Sequence, residues 1–130
     1  MGQNKIAKGD SIMIPIPAGG CSSGGFVDSS TNGIIATPGL PIQVGNDMVV
    51  VPEGTYSAGT VGNVTGHIRG AFGNQLLKTG DAPAVGDKLY LDTVDGYLTV
   101  TSGGNLFAGW AYSLPAVVGV NTVIALRLKG

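Results

Sequence analysis

The chain has 130 residues, of which 43 % are hydrophobic and only 12 % are charged, and its formal net charge at pH 7 is −1. This length predicts one domain, and a charged fraction about half of the globular norm of roughly 25 % excludes the composition of a disordered protein. The sequence has seven Lys and Arg residues and eight Asp and Glu residues, so it has no excess of positive charge. We therefore expect no binding to nucleic acid or to anionic lipid.

Glycine and proline punctuate the whole sequence, with 23 Gly and 7 Pro residues. Each Gly costs a helix about 1 kcal/mol relative to Ala, so this density disfavours long helices and favours short strands joined by turns. The sequence has no apolar run of the kind found in a signal peptide or a membrane span, which predicts a soluble chain with no membrane partner. The single Cys21 cannot form an internal disulfide, which predicts synthesis in a reducing cytoplasm.

Apolar residues at every second position predict the strands of the N-terminal half. Residues 1–8 are predicted to form a polar arm, and the β domain is predicted to occupy residues 9–130. The first predicted strand covers residues 11–16. Because proline cannot donate to a β-ladder, Pro15 predicts either an edge strand or a strand that ends there. A Gly-rich loop over residues 17–25 follows. The next predicted strands are residues 26–27, 34–36 and 48–51, and then one longer alternating strand over residues 64–72.

The C-terminal half contains the clearest β-hairpin of the sequence. Residues 88–92 and 97–101 flank a turn that contains Asp95-Gly96, with glycine where a positive φ is needed. Two more strands are predicted over residues 106–112 and 123–129, and in the last one Ile124, Leu126 and Leu128 share a face. About eight short strands at this spacing predict an all-β fold, a small antiparallel β-barrel or sandwich with long Gly-rich loops and a flexible N-terminal arm.

Few side chains are available for catalysis or metal binding. His67 is the only histidine, and Cys21 lies in a Gly/Ser run without the sharp turn of a nucleophile elbow. The sequence also lacks a P-loop lysine and the acidic spacing of a calcium loop. We therefore predict a protein that is not an enzyme and has no catalytic, cofactor-binding or metal residues. His67 and Arg69 are expected on the exposed or interfacial face of a strand.

One aromatic cluster stands out, formed by Phe107, Trp110 and Tyr112. We expect it to anchor the core, because a small β domain needs such bulk. An exposed platform at Trp110 would instead favour a small carbohydrate- or ligand-binding β module.

Several segments between roughly residues 8 and 128 carry turn and strand patterns in a fixed order. They are Lys8-Gly9-Asp10-Ser11-Ile12, Ala18-Gly19-Gly20 with Ser23-Gly24-Gly25, Val64-Thr65-Gly66-His67-Ile68-Arg69-Gly70-Ala71-Phe72, Val85-Gly86-Asp87-Lys88-Leu89-Tyr90-Leu91-Asp92, Gly96-Tyr97-Leu98-Thr99, Gly109-Trp110-Ala111 and Val123-Ile124-Ala125-Leu126-Arg127-Leu128. In this order the sequence resembles the phage capsid cement, or head decoration, family of small Gly-rich β-barrel-like proteins.

This resemblance implies a structural virion protein that binds the outer surface of a bacteriophage capsid and cements the head. It implies the major capsid protein as partner, self-association as a homotrimer on the capsid, and synthesis in the host cytoplasm. We further hypothesise that the arm of residues 1–8 orders against the capsid, where it could add a strand to a sheet. The alternative is that these residues are simply a disordered terminus. Two alternatives remain: another virion part, such as a head-fibre base or tail accessory protein, and, less favoured, the carbohydrate- or ligand-binding module.

Overall fold

The computed structural model describes residues 10–29 and 33–130, with the backbone alone described at residues 25–29 and 33–36. The predicted arm of residues 1–8 lies outside the described residues. The described part contains strands and no helix, which confirms the predicted all-β fold. The strands are β1 (Ser11–Pro15), β2 (Gly25–Ser29), β3 (Gly33–Thr37), β4 (Ile42–Val44), β5 (Met48–Pro52), β6 (Asn63–His67), β7 (Ala71–Leu76), β8 (Lys88–Asp92), β9 (Tyr97–Thr99), β10 (Leu106–Ala111), β11 (Ala116–Val118) and β12 (Asn121–Leu128).

The larger sheet has the strand order β11-β12-β10-β8-β9, and β7 also pairs with β12. All of these strand pairs are antiparallel. A bridge between Leu77 and Leu98 connects the end of β7 to β9, and the Lys78 N–H donates to the Leu98 carbonyl at 2.8 Å. The sheet therefore curls back on itself. Its inner face carries the main core, which includes Leu77, Leu89, Leu91, Leu98, Ala108, Ala111, Ile124, Leu126 and Leu128.

The smaller sheet has the order β1-β6-β5-β4, and β2 and β3 form a separate two-stranded hairpin. Ile14 of β1, Val50 of β5 and Val64 of β6 form a second core, against which Ile12 and Ile16 pack. The three isoleucines, at every second position of this segment, therefore share one face. Strand β1 ends at Pro15 and lies at the edge of its sheet, as predicted. Proline is tolerated there because an edge strand has one side on which no neighbouring strand needs its N–H groups.

Strand β5 joins the two cores. Val49 and Val51 belong to the main core, whereas Val50 points to the opposite side and belongs to the second core. All three side chains are buried. An unbroken apolar run is the pattern expected of a strand that is covered on both faces, and it explains why this segment does not alternate between apolar and polar residues.

The segment predicted as one strand over residues 64–72 is two strands in different sheets, so this prediction is wrong. Strand β6 ends at His67 and pairs with β1 and β5, whereas β7 begins at Ala71 and pairs with β12. Gly70 between them has a φ of 112°, which turns the chain from one sheet to the other. Apolar and polar residues alternate across both strands because each strand buries one of its faces. The two strands bury these faces against different cores.

The hairpin of β8 and β9 agrees with the prediction. Its strands begin at Lys88 and Tyr97, Leu91 lies opposite Leu98, and Gly96 in the turn has a φ of 78°. The observed β9 ends at Thr99, two residues earlier than predicted. Beyond it, the Asp81 carboxylate accepts a hydrogen bond from the Val100 N–H in place of a neighbouring strand, and a second one from the Thr99 hydroxyl.

Candidate functional site

Trp110 lies on the outer face of the larger sheet, and 37 % of its surface is exposed. Tyr112 is 61 % exposed, whereas Ala108 and Ala111 take the inner positions of this segment and are buried. The prediction that the aromatic cluster anchors the core is therefore wrong. The inner face is filled by leucines from the neighbouring strands, and an irregularity between Phe107 and Gly109 in the pairing with β8 directs the large rings outward.

Trp110 is flanked by a basic residue on each neighbouring strand. It lies opposite Lys88 of β8 and opposite Arg127 of β12. Because adjacent strands are about 4.8 Å apart, the three side chains form a short row across the outer face, with the indole between two cations. In the next row Phe107 lies opposite Tyr90. We call this surface the basic aromatic face, formed by Lys88, Tyr90, Phe107, Trp110, Arg127 and Lys129.

Phe107 supports the arrangement of rings and cations in the basic aromatic face. Its ring meets that of Trp110 edge-on at 5.3 Å, and it lies 5.7 Å from the Tyr90 ring. The Nζ atoms of Lys88 and Lys129 each lie 5.8 Å from the Phe107 centroid. These are cation–π distances, so Phe107 holds two ammonium groups beside the exposed indole.

The cations of the basic aromatic face have no carboxylate partner among residues 10–24 and 37–130, whose side chains the structure describes. The salt bridges of that part of the chain lie elsewhere: His67 with Glu53 at 3.5 Å, and Arg69 with Asp10 at 3.7 Å. Both of those pairs are partly or largely exposed, and such pairs contribute little to stability. Within that part of the chain, no ion pair neutralises the positive charge of the basic aromatic face.

The opposite end of the β8–β9 hairpin is acidic. Asp92 and Asp95 lie there, and the Asp92 carboxylate accepts hydrogen bonds from the Val94 and Asp95 N–H groups. Desolvation first, and then the charges of Asp95, Asp92 and Asp81, raise the pKa of the Tyr97 phenol above its ordinary value. Since four residues of strand span about 13 Å, Lys88 and Asp92 give the two ends of β8 opposite charge.

A second exposed surface lies on the hairpin of β11 and β12 and on the segment that leads into it. We call it the apolar hairpin, formed by Tyr112, Leu114, Val117 and Val120. Leu114 is 66 % exposed, Val117 73 % and Val120 94 %. Strand β11 lies at the end of its sheet and pairs only with β12 in the described chain. Exposed apolar side chains beside an edge strand are typical of a protein-binding surface.

His67 and Cys21, the residues considered for nucleophilic chemistry, have separate local partners. His67 Nε2 lies 3.5 Å from the Glu53 carboxylate, and 30 % of its side chain is exposed. The Cys21 thiol donates to the Gly54 carbonyl at 3.5 Å. Within the described residues no hydrogen bond joins Cys21 to His67.

Neither a metal site nor a membrane helix is found in the described ranges. Residues 10–24 and 37–130, whose side chains are described, contain no group of three His, Cys, Asp or Glu side chains that could hold a metal ion. The same ranges contain no helix with the length and apolar character needed to cross a bilayer.

Comparison with known proteins gives no match: no family model, no curated protein and no solved structure is similar to this chain. The sequence resemblance and the two exposed surfaces are therefore the grounds for a functional proposal.

Proposed function

We propose that this protein binds the outer surface of a bacteriophage capsid and cements the head, with the major capsid protein as its partner. The sequence resemblance supports this proposal, and so does a chain with few charges, which suits broad contact with another protein. In this proposal copies of the chain associate as homotrimers on the capsid. The protein acts by binding neighbouring capsid subunits together and catalyses no reaction.

The apolar hairpin carries the structural part of the proposal. Fully exposed β-branched residues such as Val120 are unusual at turns, where Gly, Asn, Asp and Pro are preferred. Burying the side chains of Val117 and Val120 against a partner would contribute about 25 cal/mol per Å² of apolar surface. The outer edge of β11, which pairs with no described strand, could also pair with a strand of the capsid protein. We therefore assign the capsid contact to this hairpin.

Charged substitutions in the apolar hairpin test this assignment. We expect Val117→Asp and Val120→Asp to weaken binding to undecorated phage heads about tenfold or more, because each would bury an unpaired carboxylate in the interface. Both side chains are exposed in the free chain, so the thermal unfolding temperature is expected to change little. Co-sedimentation of purified protein with heads measures the affinity.

Val61→Asp is the matched control, because Val61 is 96 % exposed in a loop outside the apolar hairpin. It introduces the same charge and should leave head binding unchanged. If the Val61 variant and the two hairpin variants bind equally well, the hairpin is not the capsid contact. The number of copies per particle then separates a cement protein, which covers the lattice, from a head-fibre base or tail accessory protein at a few positions.

A further inference from the structure

We propose that the basic aromatic face is a binding site for a carboxylated oligosaccharide. Trp110 provides the platform on which a sugar ring stacks, and Arg127 and Lys88 bind its carboxylate. This inference is independent of the proposed capsid function, because the site lies on the outer face of β8, β10 and β12 and requires no other chain.

The stacking platform is the observation that points to a sugar. The C–H groups on the face of a pyranose ring carry slight positive charge, and they are attracted to the negative face of an aromatic ring. Trp110 is 37 % exposed, although the inner face of the sheet would have offered full burial. Phe107 meets the indole edge-on at 5.3 Å and fixes its orientation. A partly exposed indole whose orientation is fixed by a neighbouring ring can offer a stacking surface to a sugar.

The flanking cations specify that the sugar is acidic. Arg127 and Lys88 lie on either side of Trp110 in register, so a carboxylate on a stacked ring comes within reach of one or the other. Neither side chain forms a salt bridge among the described residues. The Arg127 guanidinium can bind a carboxylate through two parallel hydrogen bonds, which adds orientation to the charge attraction. A neutral sugar would use only the indole.

The surroundings of this site disfavour the other anionic ligands. An acidic peptide that adds a strand needs a free sheet edge, but β10 is paired with β8 on one side and β12 on the other. A single-stranded nucleic acid needs several exposed rings along a basic track. Here two ammonium groups lie over the Phe107 ring, so a base cannot stack on it freely. The basic track is also short, because β8 ends at the acidic Asp92. The site therefore suits a short ligand with its charge on one or two rings.

Intrinsic fluorescence tests the inference directly, because Trp110 is the only tryptophan of the chain. Titration of the full-length protein with an oligogalacturonate should give a saturable change in emission. A maltooligosaccharide of the same length should bind about tenfold more weakly, since it lacks the carboxylates. An absence of saturable change, or equal affinity for the acidic and the neutral sugar, would overturn the proposal.

Charge-neutral variants locate the site. We expect Lys88→Gln and Arg127→Gln each to weaken oligogalacturonate binding about threefold, as measured by fluorescence. Lys78→Gln is the matched control, because the Lys78 Nζ lies 6.0 Å from the Tyr97 ring, outside the basic aromatic face. If all three variants lose affinity equally, the attraction is nonspecific and the site is wrong. Tighter binding of an oligothymidylate or a polyglutamate peptide than of the oligogalacturonate also overturns the proposed ligand class.

Discussion

At the scale of single residues, Gly109 shows how close the strands approach at the centre of the larger sheet. A Cβ atom at this position would overlap the Arg127 carbonyl oxygen on the neighbouring strand. That oxygen belongs to the backbone and cannot move aside without disturbing the strand pair that carries Trp110. The Gly109-Trp110-Ala111 segment is therefore constrained by packing as well as by the orientation of the indole.

We predict that Gly109→Ala lowers the free energy of unfolding by about 3 kcal/mol, because the added methyl group forces the backbones of β10 and β12 apart. Gly103→Ala is the control, since a Cβ there meets no atom within 4 Å, and it should change stability by less than about 0.5 kcal/mol. Chemical denaturation of the two variants measures both values. Equal stability of the two variants would contradict the observed approach of the strands.

Tyr97 gives a pH dependence at the acidic end of the β8–β9 hairpin. Its folded-state pKa is raised above 10.0, by desolvation and then by Asp95, Asp92 and Asp81. The protonated phenol therefore contributes stability that is fully present below pH 10 and is lost as the pH rises through the folded pKa. Phenylalanine cannot ionise, so we expect Tyr97→Phe to lose less stability than the parent as the pH rises above 10. Ultraviolet absorbance follows the ionisation of the tyrosines with pH. The variant should lack one ionisation that the parent shows, with a pKa above 10.

The face of the sheet on which Trp110 lies could not be predicted from the sequence. Alternation divides a strand into two faces, but both faces of β10 carry apolar residues, and large rings ordinarily indicate the inner one. The structure places Ala108 and Ala111 inside because leucines of the adjacent strands fill the core. The pairing of β10 with β8 and β12 decides which of its faces is covered, and the sequence of β10 alone does not determine that pairing.

At the scale of elements, β5 is the strand that holds the two cores together. We predict that Val50→Ala and Val51→Ala each lower the free energy of unfolding by about 2 kcal/mol, since each leaves a cavity, one in each core. A strand covered on one face would respond to only one of two neighbouring substitutions. Met48→Ala is the control at an exposed position of β5 and should cost less than about 0.5 kcal/mol. Denaturation midpoints test all three variants.

Elements with strong local turn signals could be predicted, and elements defined mainly by their pairing partners could not. The β8–β9 hairpin has strong turn chemistry and clear strands, and its prediction is confirmed. Strands β4 and β11 were not predicted, because each has three residues and is defined mainly by its pairing partner. Strand β7 contains Gly73 and Asn74, and Asn74 has a φ of 58°, so the local sequence favours a turn where the pairing with β12 imposes a strand.

At the scale of the whole molecule, a net charge of −1 conceals a separation of charge. Strand pairing brings Lys88 and Arg127 together on one face, and the Lys129 ammonium lies beside Phe107 on the same face, although Lys88 is distant in sequence from the other two. The carboxylates of Asp92 and Asp95 lie at the other end of the same hairpin. Composition therefore indicates the overall charge correctly but cannot identify the basic aromatic face, which exists only in the folded sheet.

The capsid-binding proposal depends on the whole molecule, because a cement protein must hold several capsid subunits at once. The most direct test incubates purified protein with undecorated phage heads, before and after shell expansion. We predict saturable binding, with copies in proportion to the capsid subunits, and a decorated shell that resists heat or chelator better than the bare one. Absence of binding to either form of the head would contradict the cement function.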